Sequence, residues 1–130
     1  MKLGKLQHFT IRASKQDFAA IERFYADVLG LRSGYRPPFE FDGLWLYHES
    51  EPILHVAMRR VQDSGADTQA GVIDHVAFLA TGAAGFAQHL QRLGVAFEQQ
   101  NVARAGYQIF LRDPVGTRIE INFDNAEAPR

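Results

Sequence analysis

The side chains of this chain that are best suited to chemistry recur at two nearly equal spacings. His8, in the stretch LQHFTIR, lies 67 positions before His75, in IDHVAFL. His55, in PILHVAM, lies 65 positions before Glu120, in TRIEINF. Imidazole and carboxylate ligands together suit Zn, Ni, Fe or Mn. We therefore predict that His8, His55, His75 and Glu120 bind one divalent metal ion.

The same offset relates two glycines, which indicates that the chain contains a duplicated unit. Gly30, in VLGL, and Gly94, in RLGV, are 64 positions apart, and a constant offset of about half the chain is typical of an internal repeat. Each half has the pattern of a βαβββ module, and the two modules cover residues 5–60 and 72–124 of a single domain, 1–130. The predicted class is α+β, with two tandem modules forming a curved, half-barrel mixed sheet and the helices on its outside.

Each module is predicted to contain one amphipathic helix that ends at its glycine. In the first module, Ser14 and Asp17 match a capping box before a helix of about residues 15–29. In the second module, Thr81 or Gly82 begins the helix. The side chains expected to form the buried stripes are Phe18, Ile21, Tyr25 and Val28 in the first helix and Phe86, Leu90 and Leu93 in the second.

Strand alternation places each ligand candidate opposite an apolar set, because successive side chains of a strand point to opposite faces. Glu120, for example, alternates with Ile119 and Ile121. We expect the apolar faces to pack against the helices and the polar faces to line a shared cavity. The alternatives are that the histidines are structural and that Glu120 is a solvent-facing strand residue. His48 and His89 are interpreted as a solvated residue and a helix-flank residue.

Composition narrows the classes of function. A formal net charge of −1 argues against a nucleic-acid-binding surface, and the absence of cysteine excludes disulfides, thiolate metal sites and Cys nucleophiles. No apolar run approaches the length of a membrane span, and the N-terminus lacks a secretory apolar region. We therefore expect a soluble, cytoplasmic protein without nucleic-acid or membrane partners. Its ten Phe, four Tyr and one Trp can fill a core and also line a small-molecule pocket.

The chain resembles the vicinal oxygen chelate superfamily over about residues 5–124. The stretches that carry the resemblance are LQHFTIR, ERFYADVLGL, PILHVAM, IDHVAFLA and especially IFLRDPVGTRIEINF. That superfamily includes glyoxalase I, extradiol dioxygenases, fosfomycin-resistance proteins and bleomycin-binding proteins. The resemblance implies metal ligands from the first and last strand of each module, which fall on His8, His55, His75 and Glu120. Typical glyoxalase I has a Glu where this chain has His55, so His55 is expected to be either a fourth ligand or a hydrogen-bonding group beside a triad of the other three.

The resemblance implies three functions, which the residues alone leave open. The first is a metal-dependent enzyme, either dioxygenase-like or a glyoxalase-like lyase or isomerase, in which Glu120 serves as the catalytic base for a small substrate whose oxygens chelate the metal. The second is a non-catalytic, bleomycin-resistance-like binding protein. The third, fosfomycin modification, ranks lowest because no basic and hydroxyl cluster for a phosphonate is evident near the second helix.

Further residues are candidates for substrate binding because of the strand faces they share. Trp45 and Tyr47 share one face, Gln108 and Phe110 share another, and alternation leaves open whether these faces line the cavity or the core. Arg12 lies on the same face as His8 and either neutralises an anionic substrate or reaches solvent. It resembles an arginine that meets glutathione in glyoxalase I.

Three polar segments are expected to lie around the site. Residues 59–71 are interpreted as the linker between the modules, and the loops RPPFEFDG and QQNVARAG are candidates for gating. The tail NAEAPR is expected to be frayed. A homodimer is expected from the resemblance.

Overall fold

A computed structural model describes residues 1–2, 4–59, 75–103 and 105–129 of the chain. The chain divides into two compact units, residues 1–67 and 68–130. The first unit contains, in chain order, β1 (Phe9–Ala13), α1 (Phe18–Leu29), β2 (Arg32–Ser33), β3 (Gly43–His48) and β4 (Glu51–Met58). The second contains β5 (Val76–Leu79), α2 (Ala83–Leu93), β6 (Phe97–Val102), β7 (Gly106–Arg112) and β8 (Arg118–Phe123).

The two units have the same sheet topology. Each sheet has four strands, in the order β1-β4-β3-β2 in the first unit and β5-β8-β7-β6 in the second. The first strand of each unit pairs in parallel with the last, and the other neighbours are antiparallel. The predicted α+β class and the βαβββ order of each half are therefore confirmed. This topology has a functional consequence, since it makes the two ligand-bearing strands of each unit neighbours.

The first strand of each unit is short, and the last strand carries much of the buried apolar surface. Leu54 and Val56 of β4 are 0% and 1% exposed, and Ile119 and Ile121 of β8 are 0% and 3% exposed. Burying each such side chain contributes about 1.5–3 kcal/mol. The alternation predicted for β4 and β8 is thus confirmed at these four apolar positions, whereas Met58 at the end of β4 is 37% exposed.

The first helix begins differently from the prediction. Residues 15–17 form a turn of 3-10 helix before α1, and Ser14 accepts the Asp17 N–H through its backbone carbonyl at 2.9 Å rather than through its side chain. The predicted capping box is therefore wrong. The end of the helix is as predicted, because Gly30 is left-handed, with φ of 72°. Ile21, Tyr25 and Val28 are buried as expected, whereas Phe18 is only half-buried.

The second helix receives its N-terminal acceptor from the end of the described chain. Gly82 precedes α2 without a side-chain cap of its own, and the Glu127 carboxylate accepts the N–H groups of Gly82 and Ala83 at 2.7 and 2.9 Å. Residues 125–127 form a short 3-10 helix, so the expectation of a frayed tail is wrong for this segment. Leu93, predicted to be buried, is 40% exposed at the last position of α2.

The antiparallel strands β7 and β8 are joined by a turn that begins at Asp113. The Asp113 carboxylate accepts the N–H groups of Val115 and Thr117 at 3.0 and 2.8 Å, which accounts for its burial at 5% exposure. This turn sets the register that pairs Gln108 with Asn122 across β7 and β8. The predicted linker, residues 59–71, lies outside the described residues except for Arg59. Neither described α-helix has the length and apolarity that a membrane crossing requires.

The Glu127 contact predicts a measurable stability effect. We expect Glu127→Ala to lower the free energy of unfolding by about 1 kcal/mol, because two helix N–H groups lose their acceptor and the helix dipole loses a favourable charge. Chemical denaturation monitored by circular dichroism measures this change. Glu98→Ala, at an exposed position of β6, is the matched control. Equal stability of the two variants would contradict the capping role.

Candidate functional site

The second unit brings two of the predicted ligands into contact. His75 immediately precedes β5 and Glu120 lies on β8, and the parallel pairing of these strands sets Ala77 opposite Glu120. The His75 Nε2 atom lies 3.0 Å from Glu120 Oε2. The side chain of His75 is 34% exposed and that of Glu120 is 8% exposed. Glu120 is therefore a buried carboxylate rather than the solvent-facing residue of the alternative interpretation.

The second oxygen of Glu120 is held by two amide groups. Gln108 Nε2 donates to Glu120 Oε1 at 2.9 Å, and Asn122 Nδ2 donates to the same oxygen at 3.1 Å. Gln108 is itself oriented by Gln100, whose Nε2 donates to Gln108 Oε1 at 2.7 Å. These hydrogen bonds compensate for the burial of the carboxylate. They also leave Oε2 directed at His75.

A glycine permits the close approach of one of these amides. Gly106 is left-handed, with φ of 114°, and a Cβ atom there would lie 2.0 Å from Asn122 Oδ1 and 2.7 Å from the Phe123 carbonyl oxygen. Any larger residue at this position would displace Asn122 from Glu120. Gly106 therefore supports the orientation of the carboxylate through Asn122.

Phe110 and Arg118 complete the surroundings of the pair. Phe110 pairs with Glu120 across the sheet, and its ring meets the His75 ring edge-to-face with centroids 6.0 Å apart. The Arg118 guanidinium lies 4.5 Å from the Phe110 ring centroid. Of the two predicted substrate-binding residues in this unit, Gln108 thus contacts Glu120 and Phe110 contacts His75.

The first unit brings the other two predicted ligands together as stacked rings. His8 immediately precedes β1, and His55 lies on the adjacent strand β4. The two imidazole centroids are 3.9 Å apart. On β3, Trp45 pairs with His55, and its ring stacks with the His55 ring at 4.0 Å and 6°. The three rings form a column, which we call the imidazole–indole stack (His8, His55 and Trp45).

One nitrogen of His55 has no hydrogen-bond partner among the described residues. That atom is Nε2, and it is buried. The ring makes a hydrogen bond to the backbone of Pro52, which must be accepted by the carbonyl because proline has no backbone N–H. The neutral tautomer that fits this pattern carries its proton on Nδ1 and has a lone pair on Nε2, the arrangement in which a histidine binds a metal.

The surroundings of His55 favour its neutral form. Burial lowers the pKa of His55 below its ordinary 6.5, the charge of His8 lowers it further, and Arg36 adds a smaller effect in the same direction. The hydrogen bond to Pro52 partly opposes these effects. A neutral imidazole is the form that accepts a proton or binds a cation.

A pocket in the first unit lies beside the imidazole–indole stack. Its volume is about 230 Å³. The aromatic and basic side chains that line it are three aromatic rings, two guanidinium groups and one imidazole: Phe39, Phe41, Trp45, Arg12, Arg36 and His55. Two of the residues predicted to bind substrate, Arg12 and Trp45, therefore line it. Arg12 also donates to the Met58 carbonyl at 3.0 Å.

Tyr47, also predicted to bind substrate, lies elsewhere. Its hydroxyl donates to the Tyr35 carbonyl at 2.6 Å, and its ring lies over Gly34, where a Cβ atom would be 2.8 Å from two ring carbons. A register shift in β3 between Leu46 and Tyr47 separates it from the alternation that includes Trp45. Its role in substrate binding stays a prediction.

The predicted four-ligand centre also stays a prediction. His8 and His55 belong to the first unit, and His75 and Glu120 belong to the second. Within the described residues, no group of three or more His, Cys, Asp or Glu side chains is placed to hold a metal ion. What the structure provides is one pair of candidate ligands in each unit.

Solved structures share this fold over almost the whole chain. A glyoxylase/bleomycin resistance protein/dioxygenase domain from Frankia is 16% identical, with a TM-score of 0.75 over 95% of this chain and 99% of that chain. The fosfomycin resistance protein FosX from Listeria monocytogenes, complexed with Mn(II) and a dihydroxypropylphosphonic acid, is 14% identical, with a TM-score of 0.72 over 95% and 94%. An antibiotic-binding protein from Streptomyces is 18% identical, with a TM-score of 0.70 over 95% and 98%.

The chain has the vicinal oxygen chelate fold. No protein-family model matches the sequence, and no curated protein matches it. At the low identities of these structures, the likeness establishes the fold of the vicinal oxygen chelate proteins and leaves the activity to the residues of this chain.

The donor types of the pair in the second unit suit a divalent metal ion. Glu120 Oε2 and His75 Nε2 converge to 3.0 Å, and the other oxygen of the carboxylate is fixed by amides. Within the first unit, His55 has a buried nitrogen without a hydrogen-bond partner among the described side chains. Imidazole nitrogen and carboxylate oxygen are ligands of Zn, Ni, Fe and Mn, and hydrogen bonds that orient ligands in this way are typical of metal sites.

The sequence interpretation did not single out four residues that the structure brings to these sites. Asn122 lies two positions after Glu120 on the same strand face, so period-2 alternation was a usable signal. Arg36, Phe39 and Phe41 belong to the loop RPPFEFDG, which was considered only as a gate. The density of aromatic and basic side chains in one short loop was the signal there.

The lowered pKa of His55 predicts a specific pH dependence of stability. The unfolded chain binds the His55 proton more readily than the folded chain does, so the stabilisation is complete above about pH 6.5 and is lost as the pH falls through the lower folded-state pKa. We expect His55→Phe and His55→Asn to lose less unfolding free energy than the wild type between pH 7.5 and 5.5. Denaturant titrations of chelator-treated protein measure the difference, and an unchanged slope in both variants would contradict it.

Proposed function

We propose that this chain is a divalent-metal-dependent enzyme that acts on a small, oxygen-bearing substrate. The observation that carries the proposal is the buried carboxylate of Glu120, with one oxygen 3.0 Å from His75 Nε2 and the other held by Gln108 and Asn122. The ligand candidates are His75 and Glu120, with His8 and His55 as further ligands. FosX, a protein of the same fold, has a complex with Mn(II), and this supports the proposal of a metal-binding role.

A structural role alone accounts poorly for this arrangement. An apolar strand rarely contains a buried carboxylate without a purpose, because a charge is costly to bury. Here two amide side chains donate to Oε1 of Glu120, whereas Oε2 faces His75. Such one-sided support is what a carboxylate needs if one of its oxygens must stay available to a cation or a proton.

The chain's own residues would then divide the work by their chemistry. A divalent ion would supply positive charge next to two neighbouring substrate oxygens. Glu120 would accept a proton from the substrate through Oε2, the oxygen that faces His75. Gln108 and Asn122 would hold the carboxylate plane during that transfer, and His55 would remain neutral because of its burial. The single carboxylate of the candidate set disfavours a mechanism that needs two.

A second candidate function is supported by the pocket of the first unit. That pocket is lined by Trp45, Phe39 and Phe41 and is suited to hold a ligand without any chemistry. The antibiotic-binding protein from Streptomyces has the same fold. On this hypothesis, the protein captures a small molecule and does not transform it.

Metal retention tests the proposal. We expect purified protein to contain about one transition-metal ion per chain, and His75→Gln and Glu120→Gln to weaken binding at least about tenfold. Competition with a fluorescent chelator and elemental analysis measure affinity and stoichiometry. His89→Gln and Glu98→Gln, which lie outside both pairs, are the matched controls and should bind like the wild type.

The same measurement decides the role of the first unit. His55→Phe keeps a ring in the imidazole–indole stack and removes the donor nitrogen. We expect it to weaken metal binding about tenfold or more. Full affinity in His55→Phe would restrict the site to His75 and Glu120, and full affinity in Glu120→Gln would overturn the proposed function.

Turnover separates the enzyme from the capture protein. We expect metal-loaded protein to consume O₂ with catechols or to isomerise the methylglyoxal–glutathione hemithioacetal, and Glu120→Gln to lower kcat by about 10²–10⁴-fold because it removes the base. Oxygen-electrode and absorbance assays measure these reactions, with Glu98→Gln as the control. Ligand binding that is unaffected by Glu120→Gln, with no turnover of either substrate, would favour the capture protein.

A further inference from the structure

The pocket of the first unit has an uncommon combination of charge and aromatic surface. Phe39 and Phe41 are 47% and 44% exposed, and their rings lie stacked with centroids 5.4 Å apart. Phe39 also lies 6.2 Å from Trp45, whose other neighbour is His55. Apolar side chains that lie together on the surface are a mark of ligand-binding and interaction sites.

Arg36 provides a positive charge within this aromatic surface. Its guanidinium carbon lies 4.9 Å from the Phe39 ring centroid and 5.0 Å from that of Phe41. Its Nη2 donates to the Phe41 carbonyl at 2.7 Å, which uses one of five N–H donors. Within the described part of the chain, no ion pair joins Arg36 to a carboxylate, and Asp42, which follows Phe41, pairs with Lys15 at 2.8 Å.

A glycine of β3 provides the space that Arg36 occupies. A Cβ atom at Gly43 would lie 3.0 and 3.1 Å from Arg36 Nε and Nη2, and 2.5 Å from the Val56 carbonyl oxygen. The guanidinium is thus fixed between the strand and the two phenyl rings. A fixed and poorly hydrated guanidinium binds carboxylates with two parallel hydrogen bonds and stacks on rings, which lysine cannot do.

The volume of the pocket and the residues that line it restrict the class of ligand further. Its volume of about 230 Å³ is below the roughly 300–1,000 Å³ of pockets for drug-sized ligands, so it suits a single-ring compound. None of the described lining residues is acidic, and Arg12 adds a second guanidinium. We propose that this pocket binds a planar, single-ring aromatic carboxylate, with its ring against Trp45 and Phe39 and its carboxylate on Arg36.

This inference deepens the proposed function, since the same pocket would hold the substrate, but binding itself requires no metal. The test is therefore made on metal-free protein in the presence of a chelator. Trp45 is the single tryptophan of the chain, so its fluorescence reports directly on the pocket. Benzoate is the probe, and benzamide (neutral), cyclohexanecarboxylate (not aromatic) and inorganic phosphate are the comparison ligands.

We expect benzoate to change Trp45 fluorescence and to bind about tenfold or more tightly than each comparison ligand, because only benzoate satisfies both the charge and the rings. Arg36→Gln should weaken benzoate about tenfold and leave benzamide nearly unchanged, and Arg36→Lys should fall between Arg36→Gln and the wild type. Phe39→Leu should reduce the preference for benzoate over cyclohexanecarboxylate. Arg23→Gln, at an exposed position of α1, should bind like the wild type.

Three outcomes would overturn the inference: equal affinity for benzoate and benzamide, a benzoate affinity unaffected by Arg36→Gln, or phosphate binding as tightly as benzoate. Circular dichroism of each variant shows that it is folded. Benzoate binding by a protein that retains no metal would leave this inference standing while the proposed function fails. Metal retention without benzoate binding would contradict this inference and leave the proposed function standing.

Discussion

Glu120 is the constraint on which the described functional arrangement depends. Its carboxylate lies within an apolar strand whose neighbours Ile119 and Ile121 are buried, so its charge must be compensated by hydrogen bonds or by a cation. Gln108 and Asn122 compensate one oxygen, and His75 faces the other. The strand pairing of the second unit places Gln108, Asn122 and His75 around this one carboxylate. The packing of β8 and the candidate metal-binding chemistry therefore both depend on the side chain of Glu120.

The first unit has the same strand topology as the second, but different side chains surround the polar residue of its last strand. Its last strand carries His55 at the position where the second unit has Glu120, and the neutral ring is accommodated by stacking between His8 and Trp45 rather than by amide hydrogen bonds. An aromatic ring tolerates this environment at much lower cost than a carboxylate would. The two halves of the repeat have thus kept the strand pairing and diverged in how they stabilise a polar group on it.

The fold was largely predictable because its signals are local. Alternation, helical spacing and the left-handed glycines Gly30 and Gly94 each depend on short stretches of sequence. The four ligand candidates followed from the repeat, and the parallel pairing of the first and last strands explains why they meet in pairs. The register between β7 and β8 was implicit in the Asp113 turn, so the contact of Gln108 with Glu120 was within reach of the sequence.

Other features depend on contacts that no local pattern encodes. The stack of His55 with Trp45 requires particular rotamers on two strands, and the position of Arg36 depends on the conformation of an irregular loop. The sequence around Ser14 matches a capping box, but the Asp17 N–H donates to the backbone carbonyl of Ser14 and the chain forms a 3-10 turn there. No periodic pattern in the C-terminal tail indicates that Glu127 accepts a hydrogen bond from Gly82, 45 residues earlier, at the start of α2.

That long-range contact has a consequence for the order in which the two helix starts can be completed. Gly82 and Ala83 precede their acceptor, Glu127, by 45 and 44 residues, so their amides are hydrogen-bonded to water until that distant segment has folded back. The turn before the first helix needs no distant segment, because the Asp17 N–H donates to the carbonyl of Ser14, three residues earlier in the chain. Closing a long loop costs more conformational entropy than closing a short one. The start of the second helix is therefore completed later in folding than the turn that begins the first.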